Sequence, residues 1–350
     1  MKRLREEILR ALLAKEMTFW DLILRQTSHF SQLTQSLLDL EGEGLIQWKS
    51  DRLTLTPKGR EEAREAGLRP LYPLKCPTCS GRGITLDGPF QEVLKEFKKI
   101  SVNRPKAIPE FDQGYVEPEV SVARVAFLYS RGDLENQHLI ILGDDDLTSI
   151  AAALSGMPRH ITVLEIDERL LHFISQVASN YGFKDLITLH KYDVQRPLPN
   201  EAIRGSDVFF TDPVETLSGI TLFLSRCAEA LKGKGCSGYF GLTHLEASRA
   251  KWHEIQRRLL EMKFAITDII RDFHEYALGN VEFILKEYPL INPEHLSIPP
   301  APAHWYTSSL VRVEAIDNPS PLYLGAVELG DELYIDPETY VNVTGPAFNT

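Results

Sequence analysis

Four short apolar runs in this chain end in carboxylates. Gly143-Asp144-Asp145-Asp146 follows His138 to Leu142, and Glu165-Ile166-Asp167 closes Ile161 to Ile166. Tyr192-Asp193 lies just beyond Leu186 to His190, and Asp212-Pro213-Val214-Glu215 follows Val208 to Thr211. One acid after a strand is ordinary as a helix cap, and Asp146 before Leu147-Thr148 suits that role. Four strands all ending in acids point instead to a crevice that holds positive charge.

A nucleoside accounts for part of the set. In doubly wound sheets an acid after the second strand accepts hydrogen bonds from the ribose hydroxyls, the place of Glu165. Asp193, followed by Val194, suits the adenine. The first turn then separates the possible cofactors. Pyrophosphate needs a glycine series whose backbone N–H groups face it, and Gly143-Asp144-Asp145-Asp146 has no such series. NAD is disfavoured. Three aspartates would also repel the carboxylate of S-adenosylmethionine, whereas decarboxylated S-adenosylmethionine offers an amine there.

A polyamine acceptor completes the charge account. Spermidine is a trication at neutral pH, and Asp145, Asp146, Asp212 and Glu215 could hold its terminal ammonium groups through charge-assisted hydrogen bonds. The inner amine must be neutral to attack carbon, so one carboxylate should take its proton. Asp146, nearest the helix start, is the first choice, with Asp145 and Asp212 as competitors. Tyr239 is a candidate to pack on the acceptor's methylenes, and a core aromatic is the plainer account of it.

These residues require strand ends that meet on one edge of a sheet. From residue 119 onward, strand and helix patterns alternate: helices at Leu147 to Leu154, Glu168 to Tyr181, Leu217 to Leu231 and Ala247 to Met262 separate the runs above from Ser237 to Leu242, Ala265 to Phe273 and Val281 to Lys286. Such alternation predicts an α/β fold with a doubly wound, parallel, Rossmann-like sheet. Residues 119–298 are assigned to this catalytic domain and 299–350 to a C-terminal extension with strand-like runs at Leu310 to Ile316 and Leu322 to Leu329.

Ahead of the sheet, residues 1–68 read as helices at Leu4 to Leu13, Phe19 to Arg25 and Leu33 to Leu40, a hairpin of Leu45 to Trp48 with Arg52 to Thr56, and a helix from Pro57 to Ala66. That is the order of a winged helix. A reader of DNA wants Arg, Lys, Asn or Gln on its recognition helix. Ser31 to Glu41 carries Gln32 and Gln35 but no Arg or Lys, which disfavours nucleic acid as a partner. Residues 69–118 read as a connector around one helix, Phe90 to Lys99. Its Cys76-Pro77-Thr78-Cys79 has the spacing of half a zinc site, yet no second close pair exists, and a simple turn is the plainer account. The chemistry as read needs no metal.

The net charge of -11 is uneven: residues 1–70 carry 12 Lys and Arg against 11 Asp and Glu, leaving -12 on the other 280 residues. Cationic ligands suit that larger part better than nucleic acid does. The N-terminus lacks an apolar core like that of a signal peptide and no run is long enough to span a bilayer, so a cytoplasmic protein is expected.

With these motifs in view, the chain resembles the branched-chain polyamine synthases, the N(4)-bis(aminopropyl)spermidine synthase family. The likeness rests on Cys76-Pro77-Thr78-Cys79-Ser80-Gly81-Arg82-Gly83, Gly143-Asp144-Asp145-Asp146-Leu147-Thr148-Ser149 and Asp212-Pro213-Val214-Glu215-Thr216. It implies a methyltransferase-type sheet and a homodimer that adds two aminopropyl groups in turn to the secondary nitrogen of spermidine, releasing methylthioadenosine. It also implies a catalytic aspartate in the acidic turn, Asp146 or Asp145. Gly143, Asp144 and Asp212, the Glu165-Ile166-Asp167 pattern, and Asp193 with Val194 would face the donor. Linear aminopropyltransferases place their catalytic aspartate after the fourth strand, which keeps Asp212 in contention. Two other functions compete: an S-adenosylmethionine-dependent amine methyltransferase, suggested by Asp212-Pro213, and a cation-sensing winged-helix regulator.

Overall fold

The computed structural model describes residues 2–72, 74–108, 111–277, 302 and 304–339. The expected strand Val281 to Lys286 and the end of the tail lie outside them. The N-terminal unit follows the expected order: α1 (Lys2–Ala14), α2 (Phe19–Ile23), α3 (Phe30–Gly42), an antiparallel hairpin of β1 (Ile46–Lys49) and β2 (Arg52–Leu55), and α4 (Pro57–Glu65). Thr18 and Asp21 form a capping box at α2, and Thr56 caps α4 ahead of Pro57. Leu4, Ile8, Leu33, Leu37 and Leu53 bury one face of each element in a core of their own. Trp305 and Leu245, from far along the chain, complete it. The N-terminal unit therefore seats on the rest of the molecule.

In the connector, α5 (Pro89–Ser101) forms where its apolar spacing predicts, burying Phe90, Val93, Phe97 and Ile100. The next helix, α6 (Pro118–Ser130), breaks the expected rhythm, because a strand rather than a helix should open the sheet domain. Its apolar residues run all round, which is the pattern of a helix buried on every side.

Beyond it come β3 (His138–Leu142), α7 (Thr148–Ser155), β4 (His160–Glu165), α8 (Glu168–Tyr181), β5 (Ile187–Lys191), β6 (Val208–Thr211), α9 (Leu217–Ala230), β7 (Ser237–Leu242), α10 (Arg249–Glu261), β8 (Phe264–Glu275) and β9 (Thr307–Ala315). The sheet order is β5-β4-β3-β6-β7-β9-β8. The chain reverses its winding between β3 and β6, so the carboxyl ends of β3, β4 and β6 open onto one crevice. One apolar layer packs under α5 to α8 and another under α9 and α10.

The sheet is mixed rather than all parallel. β9 pairs antiparallel with both β7 and β8. A boundary at residue 299 would thus cut a central strand out of its sheet, and the expected extension is in part catalytic-domain core. Leu322 to Leu329, expected as a strand, is irregular: the Ser225 hydroxyl accepts the N–H groups of Leu322 and Tyr323, and Arg226 donates to the Gly325 carbonyl at 2.6 Å. Its backbone groups are satisfied by α9 and, at Val327 and Leu329, by Gln195 instead of a neighbouring strand. Among the described residues no helix is long and apolar enough to cross a membrane.

Candidate active site

The turn after β3 sends its three aspartates three ways. Gly143 (φ 74°) and Leu147 (φ 55°) both take left-handed backbone, so the chain reverses within five residues. Asp144 points inward, where its carboxylate accepts the N–H of Ser149 at 3.2 Å and the Ser149 hydroxyl, capping α7. Burial pushes its pKa up to about 8 against the lowering by Ser149, and Glu165 adds to the rise. Asp146 points backward. It accepts the Val116 N–H at 2.7 Å and pairs with the fully buried Arg124 of α6. Asp145 alone of the three lines the cavity, where its carboxylate accepts the Gly114 N–H at 3.2 Å. Burial, then Asp146 and Glu165, hold Asp145 well above the usual carboxylate range.

Asp146 was the first choice for the proton acceptor, and its place behind the cavity wall changes that. A carboxylate paired to a buried guanidinium is an anchor for the turn. The N-cap position of α7 is Leu147 rather than Asp146, and the carboxylate that accepts an N–H of its first turn is Asp144.

Arg124 also donates to Asp212 at 2.8 Å, so one guanidinium ties the turns after β3 and β6 together. Asp212 accepts a second bond from the Tyr276 hydroxyl at 2.7 Å, and Ser308 and His274 continue the chain at 3.1 Å and 2.8 Å. Burial raises the Asp212 pKa despite Arg124. Gly241 of β7 lies against this side chain: a Cβ there would sit 2.0 Å from Asp212 Oδ1. Arg124 is the functional residue the sequence hid best. Its one available signal was a lone charge inside the apolar run Val122 to Leu128.

At the other end, Glu165, Ile166, Tyr192, Asp193 and Val194 line the cavity with Gly143. Glu165 accepts the N–H of Asp144 at 2.7 Å and of Asp167 at 2.9 Å, one on each oxygen, which fixes its plane at the strand end. Asp167 does not join it. Its carboxylate caps α8 at the Arg169 N–H (2.9 Å), pairs with the Arg169 side chain at 2.6 Å and accepts from Gln113 at 2.9 Å. Those bonds hold it below its ordinary pKa against the opposing effect of burial.

The acidic end gains residues that no strand-end pattern marks. Asp112, on a left-handed turn (φ 54°), lines the cavity with an exposed side chain, near Glu246 and Asp212. Glu215 sits behind Asp212, accepting the Thr243 N–H at 2.8 Å through one oxygen, while its other oxygen is buried without a hydrogen-bond partner among the described residues. Burial and then Glu246 push Glu215 well above the usual range. Tyr239 is elsewhere: its ring packs on Phe127 of α6, and its hydroxyl bonds Asp133 and Arg312, on the face of β7 turned from the cavity. Alternation along a strand sends neighbouring side chains to opposite faces.

Cys76 and Cys79 form a tight turn in which the Cys76 carbonyl accepts the Ser80 N–H at 2.9 Å. Among the described residues no third His, Cys, Asp or Glu gathers with them.

A nucleoside-type acid at one end of a switch-point crevice and a bank of carboxylates at the other define a transferase that joins a nucleoside-borne group to a cation. Comparison with known proteins narrows the class. The Branched-chain polyamine synthase A C-terminal domain family matches residues 92–341. The chain is 42% identical over 297 residues to the N(4)-bis(aminopropyl)spermidine synthase of Thermococcus kodakarensis, covering 85% of this chain and 83% of that one. It is 38% identical to the enzyme of that name from Methanocaldococcus jannaschii, covering 95% and 93%. The crystal structure of the Thermus thermophilus branched-chain polyamine synthase in complex with N4-aminopropylspermidine and 5'-methylthioadenosine superposes with a TM-score of 0.82 at 33% identity, over 97% of this chain and 93% of that one. The chain belongs to the branched-chain polyamine synthase family, and it is an aminopropyltransferase.

Proposed function

We propose that this enzyme moves aminopropyl groups from decarboxylated S-adenosylmethionine to the secondary amine of spermidine, giving N(4)-aminopropylspermidine and then N(4)-bis(aminopropyl)spermidine. The observation that carries this is the division of one cavity into a Glu165 end and an Asp112, Asp145 and Asp212 end. Glu165 and Asp193 hold the ribose and adenine, with Val194 against the base. The donor's amine and the acceptor's ammonium groups lie among the acids. A T. thermophilus relative crystallised with N4-aminopropylspermidine and 5'-methylthioadenosine supports that division.

In this mechanism Asp145 takes the proton. Its raised pKa brings a carboxylate nearer to an amine in proton affinity, which the general base needs. Once neutral, the nitrogen lone pair attacks the methylene next to the sulfonium. The C–N bond forms as the C–S bond breaks, and the sulfur keeps the electron pair as the neutral thioether of methylthioadenosine. Asp212, fixed by Arg124 and Tyr276, orients the amine, and in-line positioning supplies much of the rate. The second addition uses the tertiary amine so formed and ends in a quaternary ammonium.

Residues 2–68 are proposed to be winged-helix-like, with a role in assembly rather than DNA reading. The N-terminal end of α3, which would enter a groove, docks here: the Phe30 N–H donates to the Leu245 carbonyl at 3.2 Å. The working form is proposed to be a cytoplasmic homodimer. Incubation with spermidine and decarboxylated S-adenosylmethionine, followed by chromatography, tests the reaction. Methylthioadenosine and a branched product are expected, and a protein that releases no methylthioadenosine does not have this activity.

A further inference from the structure

A buried cation and a stretch of the C-terminal region meet behind the acidic end of the cavity. Lys251, in the first turn of α10, is 7% exposed. Its ammonium lies within hydrogen-bond distance of the Glu215 carbonyl (3.3 Å), the Glu246 carbonyl (3.0 Å), the Asp336 carboxylate (2.8 Å) and the Thr339 hydroxyl (2.8 Å). The Thr339 hydroxyl shares its hydrogen between the same two carbonyls, at 3.2 and 3.0 Å. Asp336 also accepts the Leu217 N–H at 2.9 Å, two residues past Glu215, and Glu338 accepts the Ser248 N–H at 2.6 Å, two residues past Glu246. Each acid-bearing loop is thus held twice, at its carbonyl and at the helix that follows. The Glu338 carbonyl in turn bonds His29 of the N-terminal unit at 3.1 Å.

We infer that Lys251 and the Asp336–Thr339 segment are positioning residues that set the spacing of Glu215 and Glu246, and so create a subsite for an ammonium group of the acceptor. The inference rests on the reading that the acidic end of the cavity binds the polyamine. Without Lys251 on their backbone carbonyls the two acid-bearing loops would drift apart, and a change in the spacing of these two mutually repelling acids weakens their hold on an ammonium. The unpartnered Glu215 oxygen is the polar atom such an ammonium would satisfy.

Steady-state kinetics on the full-length chain test this with Lys251→Met, Lys251→Arg and Thr339→Val. Lys251→Met is expected to raise the KM for spermidine roughly 10- to 100-fold, and Thr339→Val about 2- to 10-fold, with kcat at saturation and methylthioadenosine affinity near the parent's. Lys251→Arg should recover part of the loss. Should Lys251→Met fail to fold, Thr339→Val decides alone. Variants that fold, bind methylthioadenosine normally and keep the parent's spermidine KM overturn the positioning role. If Glu215→Gln and Glu246→Gln also leave that KM unchanged, the failure belongs to the assignment of the acceptor site itself.

Discussion

The two ends of the cavity are built on opposite principles. The Glu165 end is local: both carboxylate oxygens are met by backbone N–H groups of adjacent turns, which fix its plane and oppose the rise in pKa that burial brings. The acidic end is assembled from four distant stretches: Asp112, Asp145 and Asp212 line it, with Glu215 three residues beyond Asp212 and Glu246 near Asp112 and Glu215, and these carboxyls repel one another. A neutral nucleoside needs shape and fixed acceptors. A polycation is better served by acids that outnumber the cation beside them, here Arg124 on Asp212, until the ligand supplies the balance, at a cost to the free protein.

The sharpest way to break this contrast is Asp145→Asn. The amide keeps the shape and removes the proton acceptor, so turnover should fall by about 100-fold or more while the donor still binds. A variant that keeps its turnover would move the base to Asp212. Next in size is Glu165→Gln, which exchanges an anion for an amide at the ordered end. The donor KM should rise roughly 10- to 100-fold with the spermidine KM unmoved, as loss of a hydrogen bond to a charged group predicts. A shift in both constants would mean that the two ends are not separable.

Gly241→Ala probes the seam between them. The added methyl would overlap the Asp212 carboxylate, and overpacking of this kind costs about 1–3 kcal/mol. Asp212 would be pushed off Arg124 and Tyr276, so thermal stability and kcat should fall together while the donor KM holds. A fully active variant would remove Asp212 from the reacting geometry.

The same contrast governs what could be read from the sequence. The Glu165 end and the acidic turn were legible because strand ends are marked by apolar runs, and the sheet order delivers them to one crevice. Asp112 and Glu246 were not, since they sit on irregular loops whose path depends on tertiary packing. Arg124 was hidden by a helix that periodicity alone does not distinguish from a core segment. Asp146 and Asp167 were assigned to the site by spacing, but the turns send their carboxylates into Arg124 and Arg169. Tyr239 failed by strand parity, one residue from the opposite face. The position of β9 was invisible because its partners lie far away in sequence, although its strand character was plain.

pH tests the acidic end as a whole. An unfolded chain releases its carboxyl protons near pH 4. In the folded protein Asp145, Asp212 and Glu215 hold theirs to higher pH, and Asp144 to about 8. The folded state then binds more protons, so stability contributed by these groups falls as pH rises from about 5 to 8. Asp167, Asp207 and Asp272, with lowered pKa values, act in the opposite sense, their contribution being lost in acid. His29, His138, His244 and His274, with pKa values lowered chiefly by burial, cost stability below about pH 6.5. The melting temperature of the free protein should therefore decline between about pH 7 and 8, and spermidine should raise it more at pH 8 than at pH 5. Equal stabilisation at both values would mean that acceptor binding does not ionise these acids.

Tyr239→Phe should do least and serves as the control that bounds the cavity. The hydroxyl bonds Asp133 and Arg312, and those two remain paired without it, since Arg312 Nε lies 2.8 Å from the Asp133 carboxylate. Loss of the hydroxyl's two hydrogen bonds with the ion pair intact costs about 1–2 kcal/mol of stability. The ring's contact with Phe127 is kept, so the helix–sheet packing that places Arg124 should not shift. Spermidine KM and kcat should therefore match the parent's within error while the denaturation midpoint drops slightly. A clear rise in spermidine KM would extend the acidic end through the sheet to its other face, which the alternation of side chains along β7 forbids.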